Sequence, residues 1–91
     1  MRIDVIFDPD SSPQEVLELG LLAERYGIHG VWASNYPSSR DPFITLAPLA
    51  LASKRIRIAP LVITPWELHP TKASKAILGL AELSGGRADI L

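Results

Sequence analysis

The sequence predicts an α/β chain with a parallel sheet, the opening portion of a larger barrel. Three observations predict it. Strand-like apolar runs alternate with helix-like runs three times, and the connections between them are short. After the last helix, Ala88-Asp89-Ile90-Leu91 begins a fourth strand. Short connections between parallel strands leave only right-handed crossovers. A parallel sheet of this size alone would expose unpaired N–H and C=O groups at both edges and an apolar face to water. An open doubly wound sheet is the alternative topology. Its usual phosphate loop is not expected, because the first strand-to-helix connection, Asp8 to Pro13, contains no glycine.

The first strand spans residues 2–7, and Asp8-Pro9-Asp10 ends it. Ser12 followed by Pro13 predicts an N-cap and a first helical position, with Glu15 in the first turn suiting the helix dipole. This helix continues to about Tyr26, with a core stripe of Val16, Leu19, Gly20, Ala23 and Tyr26. Gly20 and Ala23 let it sit close on a sheet, and Gly27 supplies the left-handed stop. Residues 30–35 form a second strand apolar enough to be covered on both faces, with Trp32 expected in the core.

Asp41-Pro42 repeats the cap-plus-proline signal for a second helix ending near Ser53. Pro48 inside it predicts a kink or a late start. The third strand spans residues 56–63. Pro60 lacks a backbone donor, so a bulge is expected near 60–63. His69-Pro70 opens a third helix with a core stripe of Ala73, Ala76, Ile77, Leu80 and Leu83. Gly79 in its interior predicts close packing at that point, and Gly85-Gly86 ends it.

The bulk composition excludes several functions. The 91 residues carry a net charge of −1, with nine scattered basic residues and no cysteine. Nothing here favours nucleic acid or an anionic membrane surface, and no thiolate chemistry or disulfide framework is possible. No run approaches the ~18 apolar residues of a membrane span, and charges at Arg2 and Asp4 interrupt any leader-like stretch. A soluble cytoplasmic location is expected. His29 and His69 have no partners at metal spacing, so no metal site is expected.

In a barrel the site lies at the C-terminal ends of the strands. That places Asp8-Pro9, Ser34-Asn35-Tyr36 and Ile63-Thr64-Pro65-Trp66 at the mouth. Asn35 and Tyr36 offer an amide and a phenol suited to a heteroaromatic ring, and Trp66 offers a flat apolar surface. Turn chemistry alone also accounts for Asn35 and for Asp8-Pro9-Asp10.

The run from Val31 to Pro42 resembles the second-strand segment of the luciferase-like flavin and deazaflavin oxidoreductases, nearest the methylenetetrahydromethanopterin reductase branch. Ile56-Arg57-Ile58-Ala59-Pro60-Leu61-Val62 resembles their third strand. Ala81-Glu82-Leu83-Ser84-Gly85-Gly86-Arg87 resembles their junction into the fourth. The resemblance implies the N-terminal part of a TIM (β/α)8 barrel, about three βα units plus the start of strand four. Residues 1–91 would then be an N-terminal fragment of a single barrel domain, dimeric as the complete protein. It also implies hydride transfer from reduced coenzyme F-420 or, alternatively, monooxygenation with FMN, acting on a small-molecule substrate.

By the same resemblance, Asn35, Tyr36, Leu61, Val62 and Thr64 are expected to bind the coenzyme, and Asp8 and Trp66 the substrate. No catalytic residue is assigned. The family's Asp-His pair after strand two reads Asn35-Tyr36 here. Asn lacks the charge of Asp, and Tyr is a poor proton shuttle near neutrality. Leu61 replaces a usual glycine, and Leu68 an arginine. The competing expectation is a non-catalytic truncated product, or a half-barrel that assembles with another chain. On either reading, the 91 residues alone are expected to lack turnover and to aggregate or assemble over their open edges.

Overall fold

The computed structural model describes residues 3–8, 10–35, 41–61 and 69–89. Its elements run β1 (Asp4–Phe7), α1 (Pro13–Arg25), β2 (Gly30–Ser34), α2 (Pro42–Ala52), β3 (Arg57–Leu61) and α3 (Pro70–Ser84). The strands form one parallel sheet in the order β1-β2-β3, and Ala88 adds a parallel bridge to Ile58. Alternation along each strand decides the two faces. Phe7, Val31, Ala33 and Ile58 join Val16, Leu46, Leu49 and Leu80 of the helices in one core. Each fully buried aliphatic side chain there contributes roughly 1.5–3 kcal/mol. Ile6 and Trp32, in register with Ala59, lie on the opposite face.

The helix starts follow the local chemistry. Ser12 Oγ accepts from the Glu15 N–H, and the Glu15 carboxylate accepts from the Ser12 N–H, a reciprocal capping box. Asp41 caps α2 by accepting from the Phe43 N–H at 2.8 Å. His69 Nδ1 accepts from the Thr71 N–H at 3.1 Å, so this ring caps α3. Gly27 and Gly85 take the left-handed conformation that stops α1 and α3.

Several expectations change. α2 is continuous from Pro42 to Ala52 through Pro48, so it does not start late. No bulge appears through Leu61, because Pro60 keeps its register with Ala33. The Arg57 N–H donates to the carbonyl of His29, just ahead of β2, while Ile58 exchanges bonds with residues 87–89. By alternation the donor that Pro60 lacks would point away from β2, so no β2–β3 bond is lost. Trp32 is partly buried on the face away from the helices, not within the helix-covered core. The close approach of Gly20 is to α2 and not to the sheet: a Cβ there would fall within 2.6 Å of Leu49. Gly79 has open space around it, so internal packing does not explain it.

Two helix stripes are also rotated from expectation. Leu19 and Tyr26 are exposed, as is Leu83, whose place in the α3 core is taken by Ser84. α1 turns Val16 and Gly20 inward against α2, which leaves Leu19, Leu22 and Tyr26 beside the outer edge of β1. With Val5, Ile6 and Phe7 they line an open, mostly apolar hollow of about 460 Å³.

The α2–β3 turn is held from both sides. Glu24 Oε2 accepts from the N–H groups of Lys54, Arg55 and Ile56 at 2.7–2.9 Å. Arg87 donates to the carbonyls of Ala50, Ser53, Ile56 and Ser84 and to Ser53 Oγ. Burial alone would raise the Glu24 pKa, but the three backbone donors, aided by the Arg55 charge, hold it below its usual value near 4.5. Stability from Glu24 is therefore complete above that usual value and is lost as pH falls through the lower, folded-state pKa. Glu24→Gln should cost about 1–2 kcal/mol at neutral pH. It should also flatten the acid limb of the stability–pH curve, read by urea unfolding between pH 3 and 7. An unchanged acid limb would remove Glu24 from this role.

Candidate functional site

The register brings the C-terminal ends of the three strands to one rim. Ser34 pairs with Leu61, and Ala33 pairs with both Phe7 and Pro60. Two bonds stiffen this rim. Buried Ser34 donates its hydroxyl to the Phe7 carbonyl at 3.1 Å, tying β2 to β1. The Asn35 N–H donates to the Leu61 carbonyl at 2.6 Å, carrying the β2–β3 pairing past the end of β2. Asn35 and Leu61, both expected to bind the coenzyme, are thus backbone neighbours and half-buried. Asp8 stands at the end of β1. It is exposed, and its carboxylate accepts from the Asp10 N–H at 2.9 Å, closing the turn that leads to α1. Tyr36, Val62, Thr64 and Trp66 lie outside the described residues.

Beneath the rim, on the face away from the helices, lies a polar layer that sequence reasoning missed. Asp4 meets His29 Nδ1 at 3.2 Å and the Trp32 indole N–H at 3.4 Å. Arg57 forms a two-pronged pair with Asp89 at 2.6 and 2.7 Å. That hydrogen-bonded, oppositely charged carboxylate raises the Arg57 pKa above its usual value. Gly30 sits between Asp4 and Arg57 in register, and a Cβ there would come within 3.3 Å of Asp4 Oδ1. The signal was present in the sequence: each strand opens with a polar residue or glycine at the same register. Among the described residues, no three His, Asp or Glu side chains cluster at metal-binding distance. None of the described helices is long and apolar enough to cross a membrane.

The rim therefore brings Asn35 and Leu61 together as backbone neighbours. Its one described carboxylate, Asp8, is engaged in a turn. A family model of luciferase-like monooxygenases matches residues 2–91. The chain belongs to the luciferase-like monooxygenase family.

Within this family the chain is 32% identical, over 97% of its length, to a 5,10-methylenetetrahydromethanopterin reductase of Archaeoglobus fulgidus. It is 31% identical, over 84% of its length, to the oxygenase component of a flavin-dependent trigonelline monooxygenase of Acinetobacter baylyi. The structure of a coenzyme F420-dependent tetrahydromethanopterin reductase of Methanopyrus kandleri superposes with a TM-score of 0.92. It covers 98% of this chain at 26% identity. The chain spans only about a quarter of each relative, between 22% and 26% of their lengths. Its parallel βα units are those of a luciferase-like TIM barrel, of which it supplies one part.

Proposed function

We propose that these residues form part of the coenzyme mouth of an oxidoreductase that takes hydride from reduced coenzyme F-420. Within this reading, residues 1–91 are the opening segment of one barrel domain. The open hollow beside β1, lined by apolar side chains, supports a segment made to be covered by further structure. The observation that carries the functional reading is the shared rim of Asn35 and Leu61, in a fold superposing on the F420-dependent reductase. When bound, the deazaflavin supplies the hydride. The chain's own part is positional: Ser34 and the Asn35 N–H fix the rim, and the Asn35 side chain and Leu61 hold the ring edge. Flavin with oxygen is the second reading, favoured by the likeness to the trigonelline monooxygenase.

The test grafts residues 1–91 in place of the matching segment of the Methanopyrus kandleri reductase. Coenzyme F-420 binding is then titrated by fluorescence. Asn35→Ala should weaken binding roughly tenfold, about 1.4 kcal/mol, while Ser38→Ala leaves it within a factor of two. Equal dissociation constants for the two variants would remove Asn35 from the coenzyme site.

A further inference from the structure

The face of the sheet turned away from the helices is built in rows. Asp4, Gly30 and Arg57 share the lowest row, Ile6, Trp32 and Ala59 the next, and Ser34 and Leu61 the rim. Successive rows lie about 7 Å apart, two residues along a strand. Trp32 is therefore the large side chain of the row directly beneath the rim, between Ile6 and the single methyl of Ala59. Interior rows of α/β barrels are filled mainly by branched aliphatic side chains. An indole in this row departs from that pattern, and it is also tethered. Its N–H meets Asp4 Oδ2 at 3.4 Å, and Asp4 Oδ1 meets His29 Nδ1 at 3.2 Å. Gly30 makes room for this carboxylate, since a Cβ there would come within 3.3 Å of Asp4 Oδ1.

An indole has one polar atom, and here that atom is engaged in the row below. Held this way, the ring offers only carbon to the rim above it, a flat apolar support whose orientation is fixed from beneath. A side chain that holds a ligand is locked by hydrogen bonds from behind, whereas plain filling of an interior needs no such tether. We propose that Trp32 is the floor of the coenzyme mouth, the surface on which the coenzyme's ring rests. Asp4, backed by His29, is the positioning residue that sets the angle of the indole. This inference rests on the coenzyme reading above and adds to it the group beneath the ring. Asn35 and Leu61 hold the ring edge at the rim, and Trp32 meets its inner side.

The test uses the graft of residues 1–91 in the Methanopyrus kandleri reductase. Coenzyme F-420 and a tail-less deazaflavin are the probes, both titrated by fluorescence. Trp32→Leu should weaken both by the same factor, about tenfold, because the floor meets only the ring. Asp4→Leu should weaken both about fivefold. Asp4→Asn, whose amide oxygen still accepts from the indole, should recover most of that loss. Because Asp4 acts through the indole N–H, Asp4→Leu should add nothing in a Trp32→Phe background, which has no such N–H. General loosening of the sheet would instead lower binding equally in both backgrounds. Thermal melts by circular dichroism check that each graft is folded, and the Asp4 cycle decides alone if Trp32→Leu does not fold. A folded, unsubstituted graft that fails to bind the coenzyme would overturn the coenzyme reading, and the floor with it. If that graft binds, a Trp32→Leu variant that binds equally well, or an Asp4→Leu loss that is the same in both backgrounds, would overturn the floor alone.

Discussion

Exchanging Arg87 for methionine should remove about 3–5 kcal/mol from the stability of the chain, a large share of the ~5–15 kcal/mol a domain has. Methionine keeps the apolar stem but loses all five guanidinium bonds. The carbonyls of Ala50, Ser53 and Ile56 lie where α2 ends and β3 begins, and they would be left without these donors. Lysine carries one compact ammonium in place of a planar fork, so Arg87→Lys should recover less than half of the loss. Urea unfolding of the three proteins measures this directly. A loss under about 1 kcal/mol for the methionine variant would show that water replaces the guanidinium and that the clamp is incidental.

Gly20→Ala should destabilise by about 1–3 kcal/mol, although the alanine alone would favour the helix by about 1 kcal/mol. The added methyl meets the side chain of Leu49, which is fully buried. The sign should reverse in a Leu49→Ala background, where the methyl enters the space that leucine vacated. That reversal separates steric conflict from any effect on α1 itself. If Gly20→Ala were stabilising in both backgrounds, α1 and α2 would not approach as closely as the structure shows.

The strand and helix order was legible because short-range chemistry marked every boundary. Ser12-Pro13, Asp41-Pro42 and His69-Pro70 start the helices, and Gly27 and Gly85 stop α1 and α3. The orientation of α1 was less legible. Val16, Leu19, Gly20, Ala23 and Tyr26 read as one core stripe by spacing, yet Val16 and Gly20 face α2 while Leu19 and Tyr26 are left beside β1. Periodicity shows that a face is apolar and does not show which neighbour covers it. The roles of Glu24 and Arg87 were hidden for a related reason. Both bind backbone groups some thirty residues away, and backbone groups leave no mark in a sequence.

At the site, strand-end placement pointed to Asn35 and the family resemblance to Leu61, and the parallel register brings the two to one rim. The polar layer of Asp4, His29, Arg57 and Asp89 went unread, since each residue looks like an ordinary strand-end polar position when taken singly. Only the shared register shows them as one row beneath the rim. The bulge expected near 60–63 is absent through Leu61, and residues 62–63 lie outside the described residues. A proline within a strand matters only on the side its missing donor would face, and here that side is not β2.

The proposed coenzyme-holding rim is tested by the unsubstituted graft of residues 1–91 into the Methanopyrus kandleri reductase. Host loops outside the graft stay unchanged, so any loss of coenzyme binding in a folded protein reports on this segment. The graft should melt cooperatively and bind coenzyme F-420 within about tenfold of the host, a difference of no more than about 1.4 kcal/mol. A cooperatively folded graft that no longer binds the coenzyme would contradict the proposed rim.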